Sequence, residues 1–104
     1  MVENVYRLAQ TEEKTIERVL LDEHIHYLHM VLGRGDSLPI HNTNANLYMT
    51  VLRGRLSIAL NGQDAHEYEA GTLVTFPLGT RMDVRNPGEE TLELVVVKAP
   101  APKV

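Results

Sequence analysis

The side chains available for chemistry in this chain are histidine, carboxylate, hydroxyl and thioether groups; cysteine is absent. That absence excludes disulfides, thiolate metal sites and a cysteine nucleophile. The five histidines fall at positions 24, 26, 29, 41 and 66. In the run HIHYLHM, His24 and His26 stand two apart and share a strand face, and His29 takes the opposite one. His41 stands alone in PIHNTNAN. An imidazole titrates in the range that suits a general base, so His41 is the catalytic candidate if the protein is an enzyme. No Asp, Glu or Tyr can be placed inward beside it. Tyr48 points outward by parity, and the face of Tyr27 is left open. The remaining expectations are plain ones: His24 at a turn, His26 partly buried with a hydrogen bond, His29 at a surface or interface, and His66 in solvent.

The elements that must position these groups read as strands. TIERVLL is β-branched and apolar, Asp22-Glu23 marks a turn, and HIHYLHMVL is apolar at both parities, as in a strand covered on two sides. GRGDSLP breaks the pattern. LYMTVL follows and ends at Gly54. RLSIAL alternates Leu56, Ile58 and Leu60 against smaller residues, and Asn61-Gly62 signals a type I′ hairpin. AHEYEA, TLVTFP, RMDVR and TLELVVVK complete eight or nine short strands, with no convincing amphipathic helix. Turn signals recur about every 8–12 residues, the picture of a closed all-β sandwich or barrel. The expected organisation is an N-terminal arm or short strand over 1–14, one domain over 15–98, and an extended or disordered tail over 99–104.

Two glycine-framed patterns cut across these strands. The second reads Gly71, five residues, Pro77, Leu78, Gly79, two residues, Met82, three residues, Asn86. The first reads Gly35, five residues, His41, Asn42, Thr43, then Leu47, six residues, Gly54. Glycines at strand junctions allow turns with positive φ, proline fixes φ ahead of such a turn, and an asparagine amide can satisfy turn backbone. With these spacings, residues 15–98 resemble a cupin: a small jelly-roll β-barrel, or double-stranded β-helix. The resemblance implies that Gly35, Gly54, Gly71, Pro77, Gly79 and Asn86 build the barrel.

The same resemblance implies where a metal would sit. Metal-binding cupins hold a divalent ion with two histidines and a glutamate from the first motif and a histidine from the second. Carried over here, those positions are His41, Thr43, Leu47 and Met82. One imidazole, a weak hydroxyl donor, an alkyl chain and a thioether fall short of the three or four ligands a site normally brings. No cofactor is therefore expected, and only weak binding of a divalent metal remains compatible. If the even face of the HIHYLHM strand points inward, His26 could approach His41, giving an imidazole pair and no more. By alternation, Thr43, Leu47, Met49, Val51, Met82 and Val84 line the interior with His26 and His41. Two outcomes are open. Either this lining is an apolar pocket for a small apolar or amphipathic molecule, or the same side chains fill the barrel. The alternative function is a cupin enzyme, of isomerase, epimerase or dioxygenase type, using His41.

Composition narrows the rest. At 104 residues the chain suits one domain. A net charge of −4 with scattered Lys and Arg carries no nucleic-acid footprint. No apolar run approaches a membrane span and the first residues are not a signal peptide, so a cytoplasmic protein is expected. TIERVLL and TLELVVVK are apolar at both parities, which predicts a homodimer burying one sheet face. Arg34-Gly35-Asp36 spells an adhesion tripeptide by chance, its glycine already explained by the first motif. Arg81, Asp83 and Arg85 form an outward charged stripe.

Overall fold

The computed structural model describes residues 2–103. Its regular elements are nine strands: β1 (Thr15–Leu21), β2 (His26–Leu32), β3 (His41–Asn42), β4 (Leu47–Arg53), β5 (Arg55–Leu60), β6 (His66–Glu69), β7 (Leu73–Phe76), β8 (Arg81–Arg85) and β9 (Leu92–Lys98). The chain is all-β. The strands pair antiparallel into a larger sheet, β1-β2-β9-β4-β7, and a smaller one, β3-β8-β5-β6. The two stack face to face as a jelly roll.

Alternation decides which side chains meet between the sheets. Leu28, Met30 and Leu32 of β2, Leu92, Leu94 and Val96 of β9, and Leu47, Met49 and Val51 of β4 face inward from the larger sheet. Leu56, Ile58, Met82 and Val84 answer from the smaller one. Each such side chain contributes roughly 1.5–3 kcal/mol on full burial, so this cluster is the main stabilising feature of the fold.

The junctions follow from local chemistry. Asn61 and Gly62 both have positive φ, 52° and 73°, as a type I′ turn requires. The Asn61 side-chain oxygen also accepts from the Arg81 N–H, tying the hairpin to β8. Gly54 turns β4 into β5 at φ 78°, where an added Cβ would lie 2.3 Å from the Thr91 carbonyl oxygen. Asn86 is buried. Its amide donates to the carbonyls of Leu32, Gly33 and Glu90 and its oxygen accepts from the Gly88 N–H. One side chain thereby joins the end of β2 to the loop before β9.

One sequence expectation changes. His29, expected at a surface or interface, is 0% exposed. Its Nδ1 lies 2.6 Å from Glu17 Oε1 and its Nε2 2.6 Å from Glu93 Oε2. It sits on the outer face of the larger sheet, and the N-terminal arm covers part of that face. Residues 2–14 form no strand. They run extended, with the Ala9 N–H donating to Glu17 and Arg53 donating to both the Thr11 carbonyl and the Glu12 carboxylate. In the tail, expected to be extended or disordered, Ala99 and Ala101 donate to the carbonyls of Asn46 and His24, which ties these residues to the barrel. Among the described residues no helix is long and apolar enough to cross a membrane.

Candidate functional site

The four positions at which metal-binding cupins carry ligands are brought close, but as other chemistry. His41 pairs with Met82 across β3 and β8. Thr43 is buried and donates its hydroxyl to the Ala45 carbonyl. Leu47 and Met82 lie in the apolar core. The His41 side chain is exposed, and its Nδ1 is 2.8 Å from the Pro39 carbonyl oxygen. The donor set does not fit a divalent ion: the leucine has no donor atom, the hydroxyl is engaged, and the imidazole faces out. Among the described residues, no three His, Asp or Glu side chains converge elsewhere as a metal site.

The expected pocket lining divides in two. Leu47, Met49, Val51, Met82 and Val84 interlock in the core, and Thr43 is buried beside them. Of the two outcomes left open, their packing supports the filled barrel. His26 and His41 instead border an open mouth between the sheets. The smaller sheet ends at β3, only two residues long, so the inner face of β1 and β2 is roofed only in part. Ile16 and Leu21 are accordingly each 49% exposed.

This mouth encloses about 430 Å³, within the usual range for small-molecule sites. Ile16, Leu21, Leu28, Met30 and Leu38 make its apolar floor, and Arg18, His26, His41 and Lys98 its polar rim. Register explains the rim. Arg18 stands opposite Leu28, and Lys98 opposite both His26 and Leu47, so all share the inward face. Lys98 is half-buried and donates to Asn44 Oδ1 at 2.9 Å. Burial first, and then the neighbouring Arg18 guanidinium, hold its ammonium below the usual lysine range. Among the described residues no carboxylate lies within ion-pair distance of Arg18 or Lys98.

A larger opening of about 810 Å³ lies along the N-terminal arm, beside Arg53 and Glu93. Three of its charged side chains are committed to one another: Arg53 Nε is 2.9 Å from Glu93 Oε1, and Arg53 also pairs with Glu12. Tyr6, Arg7 and Gln10 of the arm line it as well.

A family model described as a cupin domain matches residues 28–98. The chain belongs to the cupin family. This cupin is 34% identical to an uncharacterised protein of Methanocaldococcus jannaschii, MJ0764, over 99% of its own length and 90% of that protein. The crystal structure of MJ0764, an RmlC-like cupin family protein with a double-stranded β-helix fold, superposes with a TM-score of 0.94 over 98% of this chain and 94% of that one. TT1209 of Thermus thermophilus, at 23% identity, shares the fold with a TM-score of 0.76 over 89% of each chain.

Sequence reasoning found His26 and His41 but missed Arg18 and Lys98. Lys98 was within reach, since it continues the inward series Leu92, Leu94, Val96. Arg18 was harder to read, because TIERVLL is apolar at both parities and the register shift after Arg18 puts Leu21, not Leu20, on its face.

Proposed function

We propose that this cupin is a non-enzymatic binding protein that takes a small amphipathic molecule in the inter-sheet mouth. One observation carries the reading: the position of a family metal site is filled by packed side chains, while the mouth beside it keeps an apolar floor under a polar rim. The test is a thermal-shift screen of amphipathic compounds on the intact protein and on Ile16→Trp. Ile16 is half exposed on the floor, so the indole fills the mouth without entering the core. Compounds that raise the midpoint of the parent protein should lose that effect in the variant. Equal shifts in both proteins would remove the mouth as the site.

Catalysis by His41 is the second reading. It is favoured by the contact between Nδ1 and the Pro39 carbonyl, which orients the ring and leaves Nε2 uncommitted at the edge of the mouth. Among the described residues no carboxylate hydrogen-bonds to His41, and a strong general base normally has such an orienting partner. A His41→Ala protein that retained any activity found for the parent would eliminate this reading.

We also propose a homodimer built on the outer face of the larger sheet. Tyr48, Leu52 and Leu73 project from it at 41%, 43% and 59% exposure, and Val2, Val5 and Tyr6 of the arm are exposed as well. A second copy offers each of these patches an apolar counterpart.

A further inference from the structure

The mouth has a sign of charge, and that sign narrows its ligand. Its floor is hydrocarbon, and its rim carries one guanidinium, one ammonium and two imidazoles. No acidic side chain is among its lining residues. Arg18 and His41 of the rim are exposed, and His26 and Lys98 are partly buried. The Lys98 stem is half-buried among apolar neighbours, where charge is screened less than at an open surface. Its amine has only the neutral Asn44 side chain as hydrogen-bond acceptor among the described residues. A half-buried ammonium beside a guanidinium is an unbalanced arrangement, and an anion placed between them would relieve it. Arg18 adds a planar fork suited to two carboxylate oxygens.

Building on the binding reading above, we propose that the ligand is an amphipathic carboxylate, its acid head between Arg18 and Lys98 and its hydrocarbon tail over Leu28, Met30 and Leu38. His26 and His41 supply further nitrogen donors at the rim. A neutral amphiphile gains only the floor. A cationic one meets Arg18 and Lys98 as like charges and is rejected. The depressed pKa of Lys98 agrees with a site that lacks its counter-charge.

The experiment is isothermal titration calorimetry of the full chain with three probes of equal tail length: octanoate, octanol and octyltrimethylammonium. It is repeated on Arg18→Gln and Lys98→Met, both of which keep much of the side-chain stem. Octanoate should bind at least about tenfold more tightly than octanol, the worth of one charge-assisted hydrogen bond, and the ammonium probe should not bind. Each substitution should cut octanoate affinity about tenfold and leave octanol unchanged. Equal affinity for octanoate and octanol overturns the carboxylate assignment while the mouth stands as an apolar site. Binding of neither overturns both. Octanoate affinity unaffected by either substitution also overturns the assignment, because the acid head then lies elsewhere.

Discussion

At the scale of residues, the least expected side chain is His29. Its two ring nitrogens meet two carboxylates, an arrangement in which both act as donors only in the doubly protonated ring. Removing it leaves Glu17 and Glu93 facing a gap. Each keeps one other partner, the Ala9 N–H and Arg53 respectively, and each stays partly hydrated. The cost therefore falls below that of stripping a fully buried pair. His29→Leu should lose about 2 kcal/mol in urea unfolding; a change under a few tenths would show the bridge to be idle. The same network gives a dependence on acid. The Ala9 N–H, and then His29, hold the Glu17 carboxyl below its ordinary value, and Thr91 and then Arg53 do so for Glu12. A carboxyl depressed in the folded state lends its stability above the unfolded value and loses it as the pH falls through the folded one. Docking of the arm should be complete at neutral pH and fade below about pH 4.3. Amide exchange at Ala9, corrected for intrinsic rate, should accelerate there before the core strands do. Equal protection of Ala9 at both pH values would refute the link.

At the scale of elements, the two glycines of the first motif differ in what they answer. Gly35 and Gly54 have nearly the same φ, 76° and 78°, but only Gly54 has backbone pressed against it. Gly35→Ala should cost about 1 kcal/mol, the strain of a left-handed residue. Gly54→Ala adds a clash with Thr91 and Leu92 and should cost roughly 2–4 kcal/mol. Urea midpoints of the two variants make the comparison, and equal losses would mean that the loop before β9 yields freely. These elements were legible because alternation and turn chemistry are local. Leu56 and Ile58 face inward just as RLSIAL alternates, and Asn61-Gly62 turns where the pair stands. The arm was less legible. MVENVYRLAQTEEK carries no period, and its path is set by Glu17, Arg53 and Glu93, whose strands lie far apart in sequence.

At the scale of the whole molecule, the proposed dimer rests on the outer face of the larger sheet. β9 is central and apolar on both faces: Leu94 and Val96 enter the core, while Val95 and Val97 lie on the outer side, buried and half-buried. The arm covers part of that side and leaves Tyr48, Leu52 and Leu73 exposed. Light scattering at micromolar concentration should give twice the 11.7 kDa chain mass, and Leu52→Glu with Leu73→Glu should reduce it to the monomer. A monomeric parent protein would dismiss the dimer.

The sequence by itself determined the strands, their turns and the family they belong to, because each depends on neighbours a few residues apart. It also determined that Thr43, Leu47 and Met82 lack the donors of a metal site, since donor chemistry belongs to residue type. Only the tertiary structure decided that Leu47, Met49 and Met82 fill the barrel centre and that the open space lies beside it. Packing depends on the distance between two sheets, which no single strand encodes. The charged rim is tertiary for the same reason. Arg18 and Lys98 are eighty residues apart in the chain, and the register of β1, β2 and β9 brings them to one edge.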